Sequence, residues 1–304
     1  MSLYKIVYFM RKILLIFLLS IVNSMSLAEE LKNKLYNSAS EQLSATIGNL
    51  IPGEGVTEVS IEITDEKDDD PDISILALRD IYSEKNSNFF TQFSLANTMV
   101  NGSDRYFGNL GFGYRKLSPN NNYMYGINTF YDKYFQQDHA RIGAGLELKG
   151  SLLDISINKY NKVTNQTTYK ETREQILSGL DYNITTQIPH MPWAKFNLEG
   201  YIHENEKKSS DTEGKIYSLE FDVSPGLQFN IGLDQGKDSG VEDVYEAELV
   251  FNYPPKENNK TMTGSGLSEE MFEEANMEAK LREKVRRNNR PVIEIQGAVV
   301  VTSK

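Results

Sequence analysis

The stretch Tyr106–Lys116, YFGNLGFGYRK, decides the fold. Tyr106, Leu110, Phe112 and Tyr114 fall on one parity, and Asn109, Gly111, Gly113 and Arg115 on the other. Successive side chains of a strand point to opposite faces, so one face here is apolar and aromatic and the other small, polar and charged. One such strand also fits a soluble sandwich. Repeated from Phe89 to Tyr253 behind a secretory leader, the pattern predicts a closed barrel with lipid outside and a polar lumen inside.

The chain has 304 residues, 39% of them hydrophobic. After the N-terminus no run reaches the roughly 20 apolar residues that a membrane helix needs, a test that does not apply to strands. Tyr (17) and Phe (14) outnumber the single Trp, which suits strands and interfacial aromatic girdles. A formal charge of -11 argues against nucleic acid as a partner. Without cysteine there is no disulfide framework and no thiolate metal site.

Lys5, Arg11 and Lys12 precede the apolar run Ile13–Val22, and Ser26-Leu27-Ala28 precedes Glu29-Glu30. A basic region, a short apolar core and a small-x-small site read as a signal peptide over 1–28, cleaved near Ala28. Met10, opening MRKILLIFLL, is a second candidate start. Leu31, Leu35, Leu43, Ile47 and Leu50 then mark a short amphipathic helix within a periplasmic segment 29–56, with Gly48, Pro52, Gly53 and Gly55 as stops.

Residues 57–253 are expected to form a twelve-stranded antiparallel outer-membrane barrel, all-β in class. The strand runs are 57–64, 73–82, 89–99, 105–116, 122–132, 139–149, 152–161, 174–185, 194–204, 214–223, 226–235 and 242–253. The count is even, as in bacterial single-chain barrels. The outward parity reads Ile142, Leu146 and Leu148, then Leu153 and Ile157, then Leu227, Phe229, Ile231 and Leu233. A charge there would cost about 2–4 kcal/mol near mid-strand, and charges are nearly absent. Long hydrophilic connections such as TDEKDDDPD (64–72), NKVTNQTTYKETR (161–173) and NEKKSSDTEG (205–214) alternate with tight ones such as Gly150-Ser151 and Ser224-Pro225-Gly226. TQIPHMPW (186–193) departs from this as a longish turn on the short-turn side.

The last strand places Tyr245, Ala247, Leu249, Phe251 and Tyr253 on the lipid face, a pattern resembling the recognition signal of the barrel-assembly machinery. Pro254-Pro255 ends it. In the linker 254–290, Ser268 is positioned to cap a helix running to about Arg287. Its first half is acidic (Glu270, Glu274, Glu278) and its second basic (Arg282, Arg286, Arg287), an order that complements the helix dipole. Such a helix is about 30 Å long and polar nearly all round, which suits a water-lined pore. The tail 291–304 begins with PVIEIQGAVVVT, an extended segment.

Several stretches together resemble the translocator barrel of the intimin/invasin family, the inverse autotransporters. They are FFTQFSLANT (89–98), NLGFGYRKLSP (109–119), NYMYGINTFYD (122–132), DHARIGAGLEL (138–148), LLDISINKYNKVT (152–164), GLDYNITTQIPHMP (179–192) and RRNNRPVIEIQ (286–296). The likeness covers about residues 45–300. It implies type V secretion: a barrel in the outer membrane, a linker through the pore, and a C-terminal segment at the cell surface. It also implies outer-membrane lipid, the barrel-assembly machinery and periplasmic chaperones as partners, with a surface or host partner reached through the tail or loops. Adhesion is the family's role, and the short tail leaves its adhesin domains unaccounted for. The alternative is a small porin-like or structural protein with a periplasmic tail.

His139, His190 and His203 are far apart in sequence, and Asp68-Asp69-Asp70 with Asp72 reads as a solvated loop, so neither a metal nor another cofactor is expected. No local Ser-His or Asp-His signature suggests an enzyme. The lumenal charges Arg115, Arg141, Glu147, Glu199 and Glu220 are expected to pair with one another or with the linker helix.

Overall fold

A computed structural model describes residues 51–65, 71–206, 210–236, 243–256, 260–295 and 298–300. The leader, the helix expected before residue 51, and Asp68-Asp69-Asp70 lie outside those residues. Twelve strands among the described residues close an antiparallel barrel. They are β1 (Gly55–Thr64), β2 (Asp72–Glu84), β3 (Ser87–Val100), β4 (Ser103–Leu117), β5 (Tyr123–Tyr134), β6 (Ala140–Gly150) and β7 (Leu153–Lys162). After a hairpin β8 (Thr167–Tyr169) and β9 (Thr172–Ile176), the wall resumes with β10 (Ser178–Ile188), β11 (Met191–Glu204), β12 (Thr212–Ser224), β13 (Leu227–Gly236) and β14 (Val244–Tyr253). β1 pairs with β14 from Thr57↔Tyr253 to Thr64↔Glu246, which closes the ring and leaves no free edge in it.

All twelve expected runs are present. The run 174–185 differs in one respect, because it divides at Leu177. β10 stays in the wall, while β9 turns away into a second sheet with β8 and two strands of the tail, β15 (Ile293–Ile295) and β16 (Ala298–Val300). TQIPHMPW also differs: Ile188 pairs with Met191, so only Pro189 and His190 turn the chain, His190 taking a positive φ of 62°. Strand pairing continues through the flanking residues and shortens the turn.

The alternation of β4 holds residue by residue. Tyr106, Leu110, Phe112 and Tyr114 are 55%, 50%, 45% and 41% exposed on the outer wall, while Arg105, Phe107, Asn109, Arg115 and Leu117 are buried toward the lumen. Outward aromatics gather near both rims: Tyr114, Tyr123 and Tyr125 toward one, Tyr106, Tyr131 and Phe135 toward the other, with Leu110, Ile127 and Leu146 between. The eight steps from Tyr106 to Tyr114 cover about 27 Å along the strand. Tilted by about 40°, that is roughly 20 Å of membrane height, close to a barrel's apolar band.

The small residues of the lumenal parity have a packing purpose. A Cβ on Gly111 would come within 2.3 Å of the Phe130 ring, and one on Gly113 within 2.3 Å of Phe90. Both rings fill the space that those missing side chains would take.

Candidate functional site

The lumen is occupied. Here the terminal rim is the one carrying Gly55 and Tyr253, and the far rim carries the second sheet. After Tyr253 the chain crosses the terminal rim beneath the short turns. The Thr263 hydroxyl donates to the Val223 carbonyl, Trp193 Nε1 to the Gly266 carbonyl, and the His190 amide to the Met271 carbonyl. It then enters the lumen at Met277 and runs to Ile295.

The expected helix over 268–287 does not form. Among the described residues of the linker, helical geometry is confined to one turn, α1 (Met262–Ser265), and a 3-10 turn at Ala279–Arg282, and the remainder is irregular or extended. One reason is reach. As helix, the twelve steps from Leu281 to Ile293 would rise about 18 Å. Leu281 packs near the terminal-rim ends of β4 and β5 on Leu117 and Met124, whereas Ile293 packs near their far-rim ends on Phe107 and Tyr134. The ten steps of β4 between Leu117 and Phe107 already cover about 34 Å along the strand. The other reason is hydrogen bonding. A helix would satisfy its own carbonyls, whereas here the wall satisfies them.

Arg115 donates to the Leu281 and Glu283 carbonyls, and Asn88 also to that of Leu281. Ser156 and Asn158 donate to the Arg286 carbonyl at 3.0 Å each, and Arg141 to that of Asn288 at 2.6 Å. Asn109 and Tyr134 donate to the carbonyls of Asn289 and Pro291 at 2.9 Å. In return the Val285 amide donates to Gln92 Oε1, and the Asn288 amide to Asp181 and the Tyr160 hydroxyl. A buried backbone needs such partners, and β3–β7 with β10 provide them.

Side chains add a second layer. Lys280 meets Asp154 at 2.6 Å, Arg282 meets Asp80 at 2.6 Å, and Lys284 meets Glu58 at 2.8 Å. Arg286 forms a two-pronged pair with Glu220. Arg287 pairs with Asp132 and lies over the Phe130 and Tyr160 rings, 4.2 and 5.3 Å from their centroids. Arg290 reaches Asp72 at 2.8 Å. Glu283, the acid of this basic half, faces Lys149 at 2.9 Å. Three apolar contacts punctuate the path: Met277 and Leu281 on Leu117 and Met124, Val285 on Leu78, Phe90 and Phe130, and Ile293 and Ile295 on Val100, Phe107 and Tyr134.

Of the linker residues singled out in the sequence, Arg282, Arg286 and Arg287 reach wall carboxylates. Glu270 and Glu274 stand exposed at the terminal rim, where Glu278 faces Lys85 at 3.9 Å. The charge split therefore separates rim from lumen rather than complementing a helix dipole. Among the lumenal charges, Arg115 pairs bidentately with Glu147, and Arg141 donates through Nε alone to Asp132. The partner acids Asp80, Glu58, Asp132 and Asp72 were missed, and Asp154 falls on the lumenal parity of its strand without having been singled out as a partner. A signal was present: basic residues recur every second position from Lys280 to Arg286, and past the 3-10 turn Lys284 and Arg286 face one side of the lumen while Val285 and Arg287 face the other, the period of an extended chain.

At the far rim the tail joins the second sheet. β15 pairs with β9 from Ile293↔Ile176 to Ile295↔Glu174, and β16 pairs with β15. Beneath it Arg105 and Glu174, each 1% exposed, form a bidentate pair. His139 lies beside them with Nε2 near the Thr167 hydroxyl, and burial lowers its pKa. His203 stacks on Tyr201, and His190 is at the opposite rim in the β10–β11 turn. Tyr245, Ala247, Leu249, Phe251 and Tyr253 hold the outward parity of β14, with Val250 and Asn252 buried on the other.

The family model for the inverse autotransporter β-domain matches residues 20–289. An attaching and effacing protein homolog of Escherichia coli (strain K12) is 32% identical over 124 residues, 40% of this chain and 40% of that protein. The Invasin of Yersinia enterocolitica is 24% identical over 208 residues, 66% of this chain and 24% of that protein. The chain thus spans less than half the length of either relative. A solved chain described under "Unveiling the Mechanism Behind the in-meso Crystallization of Membrane Proteins" shares the fold at a TM-score of 0.63 and 19% identity, covering 79% of this chain and 100% of that one.

Proposed function

The chain belongs to the inverse autotransporter β-domain family and has its outer-membrane barrel fold, and from that premise we infer that it is a translocator: it threads its own C-terminal segment through the barrel to the cell surface. In this reading the terminal rim is periplasmic and the far rim extracellular. The observation that carries it is the path of the linker, which leaves β14 at the terminal rim and ends in a sheet at the far rim. The porin-like alternative leaves the tail periplasmic and gives no reason for linker cations to meet wall acids along the whole lumen.

The outward stripe of β14, from Tyr245 to Tyr253, serves as the signal for the barrel-assembly machinery, and periplasmic chaperones carry the unfolded chain there after cleavage near Ala28. Surface attachment is the role proposed for what the exported segment carries, in keeping with the names of the relatives. No catalytic role is proposed: the lumenal acids Asp154, Glu220 and Asp132 already hold linker cations.

An epitope tag fused after Lys304 tests the direction. Antibody labelling on intact cells is expected. Labelling that appears only after permeabilisation returns the tail to the periplasm and refutes the reading.

A further inference from the structure

We propose that the apolar notch around Val285 and the Arg286–Glu220 pair set the register at which the linker comes to rest, so that the barrel itself halts outward movement of the chain. This rests on the translocator reading. An extended segment repeats its facing every second residue, so the nearest competing registers are slips by two. The wall's hydrogen bonds to linker carbonyls do not oppose such a slip, because every residue offers the same carbonyl. Something else must break the degeneracy, and it has to be specific to side chains.

Val285 is 1% exposed in a notch of Leu78, Phe90 and Phe130. Outward travel by two residues brings Glu283 into that notch, away from Lys149. A carboxylate among two phenylalanine rings and a leucine is disfavoured, because the nearby guanidinium, Arg115 at 4.5 Å over Phe90, is already committed to Glu147. The same slip takes Arg286 from Glu220, Arg287 from Asp132 and Arg290 from Asp72. Travel inward by two removes Val285 from its notch and leaves Asp132 facing Asn289 and Asp72 facing Val292. A slip by one turns Lys284 or Arg286 toward the notch. One register alone satisfies the apolar contact, the basic residues and the acid Glu283 together.

The chain contains no cysteine, so paired cysteines report the register without background. Asn109 donates to the Asn289 carbonyl at 2.9 Å, which makes 109 and 289 neighbours in the resting register. Asn109→Cys is combined in turn with Arg287→Cys, Asn289→Cys and Pro291→Cys, and a short thiol cross-linker is applied to folded barrels, selected by heat-modifiable migration. In the otherwise native chain the 109–289 product is expected to dominate at least fivefold. Val285→Glu, and separately Arg286→Glu, should shift the dominant product to 287 or 291, and adding Glu220→Arg to Arg286→Glu should return it to 289. The charge swap is the readout that general loosening would not restore, and it carries the test where Val285→Glu fails to assemble. A product fixed at 289 in the folded variants, or a swap that does not restore it, overturns the register proposal. No product at any of the three positions in folded native barrels overturns the threading itself, a separate failure.

Discussion

The two halves of the lumen wall hold the linker in different ways. β3–β7 bind its backbone as well as its side chains: Arg115, Asn109, Tyr134, Arg141, Ser156 and Asn158 donate to linker carbonyls, while Asp132, Lys149 and Asp154 pair with Arg287, Glu283 and Lys280. Across the lumen, β1 and β12 touch it through the tips of charged side chains, Glu58 with Lys284 and Glu220 with Arg286. A cavity of about 160 Å³ lies beside the linker, reaching from Ser60, Asn197, Ser218 and Glu248 across to Ser94 and Phe107. The carbonyl contacts by themselves accept nearly any extended sequence, which suits a channel through which different residues pass in turn, and the notch at Phe90 and Phe130 and the acids Asp132 and Asp154 add selectivity on the same half. The opposite side, with Glu58 and Glu220, contacts the linker through carboxylates and distinguishes one sequence from another. The contrast shows how a single lumen both lets a chain slide and recognises where it should stop.

The largest expected effect falls on the closure that the open half depends on. Phe251→Asp with Tyr253→Asp removes two outward aromatics from β14, where Tyr253 and Phe251 pair with Thr57 and Val59 of β1. Complete loss of heat-modifiable barrel is expected. A folded barrel in that variant would show that the stripe is dispensable.

Removing the linker should sharpen the contrast next. Deleting 256–304 leaves Glu58, Asp132, Asp154 and Glu220 without their linker cations. Planar-bilayer conductance should rise severalfold with a preference for cations, and unchanged conductance would mean that the linker does not fill the pore.

Within the gripping half, Asp132→Asn strands Arg141 and Arg287, both essentially inaccessible. Leaving a buried charge unpaired costs about 3–5 kcal/mol, which a denaturant midpoint for the folded barrel should register. On the open side Glu248→Gln, whose carboxylate accepts from Asn230 at 2.8 Å, should change that midpoint by less than about 1 kcal/mol. Equal effects of the two would erase the distinction between the halves.

The smallest effect concerns the cap. Burial holds His139 below its ordinary pKa, with Glu174 raising it and Arg105 lowering it less strongly. The unfolded segment therefore takes up the proton more readily. The contribution of neutral His139 is fully present above the ordinary histidine value of about 6.5 and is lost as pH falls below it. Protection factors for amide exchange across Thr167–Ile176, corrected for the intrinsic pH dependence of exchange, should fall between pH 7 and 5, and less so in His139→Gln. Equal acid sensitivity of the two chains would remove His139 from the account.

Much of the fold was legible because a barrel writes itself locally. Each strand of the wall carries its own period of two, and Tyr106, Leu110, Phe112 and Tyr114 face outward whatever their neighbours do. The split of the run 174–185 was less legible, since Glu174–Ile176 and Ser178 onward alternate alike and only the arrival of Ile293–Ile295 takes β9 out of the wall. The linker was legible in charge but not in conformation. Its acidic and basic halves also satisfy a helix dipole, and the period of two in Lys280, Arg282, Lys284 and Arg286 competes with good helix propensity.

By itself the sequence determined the strands, their even number, their outward face and the place where the basic residues gather, because these depend on side-chain alternation and charge along one segment. Only the tertiary structure decided that the linker is extended, which carboxylate each cation meets, and that Gly111 and Gly113 exist to seat Phe130 and Phe90. All three depend on contacts between segments far apart in sequence, and the linker shows the reason most plainly. A helix satisfies its carbonyls from within, whereas an extended chain needs donors from elsewhere, and Arg115, Arg141, Asn109 and Tyr134 become those donors only when the barrel has closed around it.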